Sequence, residues 1–123
     1  MKIIHTNGLA GKALDWAVEQ IEIQRMRDAG EHVKGWWVEN RQTDPSPYST
    51  DWNLAGPIIE RELIELSNWG IDGWEAKATD YSSRPNGDEV FAECYGETAL
   101  IAAMRCFVAS KRGDEVEIPE GLA

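Results

Sequence analysis

Residues 96–119, GETALIAAMRCFVASKRGDEVEIP, decide how this chain folds. Leu100, Ala103, Met104, Phe107 and Val108 recur at i, i+3, i+4, i+7 and i+8, one unbroken apolar stripe along a helix. Thr98 is a good N-cap with Glu97 beside it. Lys111 and Arg112 suit the negative end of the helix dipole, and Gly113 supplies the positive φ that closes the last turn. The spacing therefore predicts a core helix followed by a short strand, Glu115–Ile118.

Working outward, Lys2–His5 reads as a strand. A helix from about Leu9 places Ala10, Leu14, Ala17, Val18 and Ile21 on one face and stops at Gly30. Residues 32–39 are β-like, with Val33, Trp36, Trp37 and Val38. Residues 42–50, QTDPSPYST, are loop. Gly56-Pro57 opens another helix, proline taking the first helical position, with Ile58, Ile59, Leu63 and Leu66 turned inward. Residues 71–78 read as a strand containing Trp74. Residues 80–88 form an exposed loop around the Asn86-Gly87 pair, and residues 90–95 are the return strand of a hairpin. The expected architecture is a single α+β domain over residues 1–123, three helices packed on a small, mainly antiparallel sheet.

With 123 residues, the chain is long enough to bury roughly 65% of its unfolded surface without disulfides or metal. Its formal charge is −10, from 22 Asp and Glu against 12 Lys and Arg. Duplex nucleic acid needs a basic footprint that this chain lacks, so it is not an expected partner. The acids are spread along the chain, which suits solubility; the sharper reading is an acidic face that imitates DNA or docks a basic protein. No run of about 18 apolar residues can span a bilayer, so no membrane partner is expected. The opening MKIIH is too short for a signal peptide, and the expected location is the cytoplasm. Cys94 and Cys106 fit that compartment as buried, reduced thiols. No zinc-ligand spacing occurs, and no metal or cofactor is expected.

Catalytic signatures are missing as well. There is no Gly-x-Ser-x-Gly elbow, no phosphate-cradling glycine loop and no histidine set beside Asp or Cys in a known motif. Glu60 and Glu62 lie two apart on a helix and so face different ways, which excludes an acid–base pair; Arg61 between them reads as a surface ion-pairing residue. The expectation is a protein that binds and does not catalyse.

Six tryptophans in 123 residues point to where it binds. Trp16 and Trp74 read as core. Trp36 and Trp37, adjacent in an expected strand, must face opposite ways, leaving one outside the core. Trp52 follows a proline-rich loop in Tyr48-Ser49-Thr50-Asp51-Trp52, an aromatic ring beside hydroxyls and a carboxylate, as ligand pockets contain. The plainer reading of that segment is a helix N-cap and loop anchor, with Trp52 plugging the core.

Four segments carry a family resemblance: Gly11-Lys12-Ala13-Leu14-Asp15-Trp16-Ala17-Val18; Tyr48-Ser49-Thr50-Asp51-Trp52 with Gly56-Pro57-Ile58-Ile59-Glu60-Arg61-Glu62; Gly73-Trp74; and Leu100 to Lys111 running on through Gly113-Asp114-Glu115-Val116. Together they resemble the phage NinX-like family, small accessory proteins of tailed phages. Residues 22–30 and 80–88 depart from the family pattern, and Ala55 stands where a second glycine is usual. The resemblance implies work in the cytoplasm of an infected bacterial host and supplies no catalytic residues.

Phage accessory proteins of this size commonly bind something belonging to the host. The first expectation is a small nucleotide-type ligand, sequestered as an immune signal such as a cyclic nucleotide or cyclic ADP-ribose. Its contact residues would be Trp52, Asp51, Thr50, Ser49, Tyr48, Trp36, Arg61 and Arg105. One base stacked on an indole contributes about 1–3 kcal/mol. Arg61, Arg84 and Arg105 are the available phosphate partners, and the helix starts near Gly56 and Thr98 offer anion-binding N–H groups. Arg105, inside an apolar helix, needs either Asp15 or Asp51 as an internal partner or a phosphate. The alternatives are an acidic inhibitor that binds a host protein and a non-catalytic accessory domain forming a homo-oligomer.

Overall fold

The stripe of residues 96–119 becomes the axis of the molecule. In the computed structural model, which describes residues 1–40, 42–80 and 89–122 without the side chains of residues 36, 40, 79, 80 and 89–91, the chain runs β1 (Lys2–His5), a 3-10 turn at Thr6–Gly8, α1 (Gly11–Asp28), α2 (Gly35–Asn40), α3 (Trp52–Arg61), β2 (Glu65–Asn68), a second 3-10 turn at Gly70–Asp72, β3 (Trp74–Asp80), β4 (Glu89–Gly96), α4 (Ala99–Arg112) and β5 (Glu115–Ile118). Helix α4 starts where its cap predicts: the Ile101 N–H donates to Thr98 Oγ1 at 3.2 Å. It ends at Gly113, whose φ is 84°. Ala102, Ala103, Met104, Cys106, Phe107 and Val108 on α4 are completely enclosed.

Two antiparallel sheets clasp this helix. One has the order β2-β3-β4; the other pairs β1 with β5, Lys2 opposite Ile118 and His5 opposite Glu115. The inner face of the larger sheet carries Ala76, Ala78, Ala92 and Cys94, all buried, and these small side chains let α4 lie close. Gly96 is required for the same reason: a Cβ there would sit 2.6 Å from the Ala102 nitrogen. Across from it, a Cβ on Gly73, whose φ is 95°, would meet the Gly96 oxygen at 2.6 Å. Both thiols are buried and free, as expected, and burial pushes Cys94 up to about 11 and Cys106 up to about 12.

Helix α1 buries Leu14, Ala17, Val18 and Ile21 as its periodicity predicts, though Ala10 precedes the helix and is exposed. Its apolar stripe also takes in Asp15, Glu19 and Glu22, all buried. Two of these acids anchor the 42–51 loop: Asp15 accepts from the Ser49 N–H at 2.8 Å, and Glu19 accepts from the Ser46 hydroxyl at 3.0 Å. Burial raises the Asp15 carboxyl above its ordinary value.

Several expectations are corrected. Residues 32–39 are not a strand; Gly35–Asn40 is helical, the Trp37 and Val38 N–H groups both donating to the Lys34 carbonyl. Helix α3 begins at Trp52, five residues before Pro57, because Asp51 caps it by accepting from the Asn53 N–H at 2.9 Å. Pro57 is tolerated inside the helix because Asn53, whose carbonyl it leaves without a donor, is exposed to water as Pro57 is. Leu63 is exposed past the helix end, Leu66 packs inward from a strand, and Ile71 stands fully exposed in a turn. The polar strand β2 went unread because only Leu66 in it is apolar. Residues 81–88 of the expected loop, with Arg84 and Asn86-Gly87, lie outside the described residues.

Candidate functional site

The segment Tyr48-Ser49-Thr50-Asp51-Trp52 is divided between scaffold and cavity. Tyr48 belongs to the scaffold: burial, then its hydrogen bond with Glu19, raises its hydroxyl well above the ordinary tyrosine value. Asp51 is the α3 cap. Ser49, Thr50 and Trp52 line a cavity of about 500 Å³, completed by Trp74, Glu97, Thr98, Ala99, Leu100 and Ile101. Trp52 does not plug the core; it is 55% exposed at the mouth. Trp74 is half-buried against the core, opposite Gly96 in the β3–β4 ladder.

The N-termini of α3 and α4 both open at this cavity. A helix leaves its first N–H groups without partners inside the helix and carries about half a positive charge at that end. Thr98 satisfies the Ile101 N–H, and Ala99 and Leu100, the first two residues of α4, are among those that line the cavity. The cavity therefore offers two indoles, three hydroxyls and a helix pole. Among the described residues its lining includes one carboxylate, Glu97, and neither Lys nor Arg.

Arg61 and Arg105 are elsewhere. Arg61 lies at the far end of α3, about 13 Å along the helix from Trp52. It is more than a surface residue: Nη2 bonds Glu22 Oε1 at 2.6 Å, Nε bonds Glu62 Oε2 at 2.8 Å, and the guanidinium lies 5.8 Å above the Phe107 ring. Lys111 Nζ adds a contact to Glu62 at 2.8 Å, and Arg25 one to Glu22 at 3.1 Å. Arg25, Arg61, Glu62, Phe107 and Lys111 line a cleft of about 260 Å³ with Asp28 and Arg112, where α1, α3 and α4 all end. Basic side chains here meet three negative helix poles and two carboxylates, and Arg61 is already committed.

Arg105 is paired neither with Asp15, which holds Ser49, nor with Asp51, which holds Asn53. Its Nε donates to the Leu9 carbonyl at 2.7 Å and its Nη1 to the Tyr95 carbonyl at 2.8 Å. Burial lowers its pKa. Of the adjacent tryptophans, the Trp36 side chain lies outside the described residues. Trp37 lines a groove of about 320 Å³ with Met26, His32, Val33 and Lys34, so that an indole and a cation share one lining.

Trp74, read from the sequence as core, and residues 97–101 complete the cavity. The Thr98 cap was the signal for the second group; its partner at the other helix start is Trp52, not Gly56. Among the described residues no three His, Cys, Asp or Glu are grouped to hold a metal, and no helix is long and apolar enough to cross a membrane. No curated protein matches the chain. Residues 5–111, which span from the end of β1 to the last turn of α4, match the family described as Bacteriophage P22, NinX, and the chain belongs to that family.

Proposed function

We propose that this phage protein is a non-catalytic binder of a small nucleotide-type ligand, which it sequesters in the cytoplasm of the infected host, an immune signal such as a cyclic nucleotide or cyclic ADP-ribose being the class expected. The observation that carries the reading is the meeting of Trp52 and Trp74 with the α4 N-terminus around one cavity of about 500 Å³. A base stacks on the indoles, each contact contributing about 1–3 kcal/mol. The phosphate lies at the Ala99 and Leu100 N–H groups, beside the Thr98, Ser49 and Thr50 hydroxyls. A helix pole resolves the difficulty of an acidic protein holding an anion: it acts within its first turn, whereas the diffuse charge of −10 is screened beyond about 8 Å at physiological salt. Two stacks and one anion contact suffice for a micromolar Kd, about −8 kcal/mol.

The test is a titration of intrinsic fluorescence with cyclic dinucleotides, cyclic mononucleotides and ADP-ribose derivatives. A saturable change that disappears in Trp52→Ala supports the proposal. A flat response from folded protein overturns it, and a response kept in Trp52→Ala but lost in Trp37→Ala moves the ligand to the Lys34 groove. The net acidity keeps one alternative, an inhibitor that docks a basic host protein, which predicts salt-sensitive protein capture with no small-ligand response.

A further inference from the structure

We infer that Glu97 makes the Trp52–Trp74 cavity specific for guanine, an inference that rests on the nucleotide reading of this cavity and names its base. Among the described residues Glu97 is the one carboxylate in a lining otherwise made of indoles, hydroxyls and aliphatic side chains. It is exposed, and its carboxylate makes no ion pair or hydrogen bond among the described residues. Arg105, whose charge it feels, is held by the Leu9 and Tyr95 carbonyls instead. A carboxylate repels a phosphate, so its use in a nucleotide cavity is to accept hydrogen bonds from the base.

The fold sets Glu97 beside a stacking surface. Trp74 pairs with Gly96 across the β3–β4 ladder, and Glu97 follows Gly96 directly. Residues opposite each other in such a pair lie about 4.5–5.5 Å apart. With Glu97 and Trp74 lining one cavity, the carboxylate is within reach of the edge of a base stacked on the Trp74 indole. Glu97 also lines the neighbouring cavity with Tyr95 and Arg105, and it precedes Thr98, whereas Ala99 and Leu100 follow it. Base edge and phosphate are thereby given different parts of the wall.

The chemistry of the base edges then decides between ligands. Among the common bases only guanine presents two adjacent donors, N1–H and the 2-amino group, which match the two oxygens of a carboxylate. Adenine and cytosine set a ring-nitrogen acceptor beside one amino donor, and uracil flanks its N–H with two carbonyls. Each of these turns a lone pair towards Glu97, an acceptor with no proton to offer when ionised. One bidentate match of this kind discriminates by about tenfold.

Isothermal titration calorimetry on the full chain compares cyclic GMP with cyclic AMP, and cyclic di-GMP with cyclic di-AMP, pairs that differ only in the base. The guanine member should bind about tenfold tighter or more. Glu97→Gln, at an exposed position and with an unchanged circular-dichroism spectrum, should remove that preference: its amide turns an N–H against one of the two base donors, while the adenine member binds as before or tighter. Equal affinities within both pairs, binding confined to adenine ligands (ADP-ribose derivatives included), or a guanine preference that survives Glu97→Gln overturns the assignment and leaves the nucleotide reading standing. Binding of no nucleotide by folded protein overturns both.

Discussion

The two ends of the α3–α4 pair have the same raw material, exposed helix poles over a cavity, and use it differently. At the Arg61 end three helices finish together, and Arg25, Arg61, Lys111 and Arg112 gather on their negative poles. Glu22 and Glu62 knit Arg25, Arg61 and Lys111 into one ion-pair network. At the Trp52 end Asp51 and Thr98 each satisfy one N–H, and the remaining positive pole faces a cavity walled by indoles and hydroxyls. The basic cleft is a structural lock, and under the proposed function the end whose described lining holds no Lys or Arg is the one that takes the anion.

The lock is easiest to break at Arg61. Arg61→Ala leaves Glu22, only 8% exposed, with Arg25 as its remaining cation, and should cost about 3 kcal/mol in urea unfolding. A cost below about 0.5 kcal/mol would place that end among ordinary surface ion pairs. Nearby, Leu63 closes α3 at φ 54°, with the Ile64 N–H donating to the Ile59 carbonyl, a position that favours glycine. Since Leu63 is 58% exposed, Leu63→Gly should gain about 1 kcal/mol, a rise of several degrees in Tm. A loss would mean the Leu63 side chain contributes more by contact than its backbone costs.

The lock should also show in acid. Burial pushes the Glu62 carboxyl up, but its bonds from Lys111 and Arg61 outweigh burial and hold it below the usual 4.5. A carboxylate depressed in the folded state contributes stability that is fully present above pH 4.5 and lost as pH falls through the folded value. Stability measured from pH 6 down to pH 3 should therefore fall less steeply in Glu62→Gln than in the wild type. Equal slopes would remove Glu62 from the acid response. The smallest stability effect belongs to the open end: Trp52→Ala should change unfolding by less than about 0.5 kcal/mol, because its ring is mostly in water, while abolishing the ligand response.

Local signals in the sequence were sufficient where local physics decides. Thr98, the stripe from Leu100 to Val108 and Gly113 specify α4 within its own residues, and residues 89–96 pair as the expected return strand. The misreadings arise where one local signal competes with another. Gly56-Pro57 is a strong helix-start pattern, yet the Asp51 cap starts α3 earlier. Val33, Trp36, Trp37 and Val38 favour a strand by composition, but no strand among the described residues pairs with them, and Gly35–Asn40 closes on itself as a helix.

The site was legible only in part, for a reason of distance along the chain. Ser49, Thr50 and Trp52 announce themselves as a polar–aromatic cluster, whereas Trp74 and the α4 start join them only through the fold. Arg61 gives no sign that Glu22, 39 residues away, already holds it, nor Arg105 that two carbonyls do. Buried acids on the α1 stripe were the available hint: Asp15, Glu19 and Glu22 sit where only partnered charges survive.

Amide and indole NMR shifts during titration with the nucleotide panel would compare the two ends in a single experiment. The account predicts that the Ala99 and Leu100 amides and the Trp52 and Trp74 indole N–H signals move together and saturate, with Arg25, Arg61 and Lys111 unmoved. Shifts centred on the Arg61 cleft, or none at either end, would contradict it.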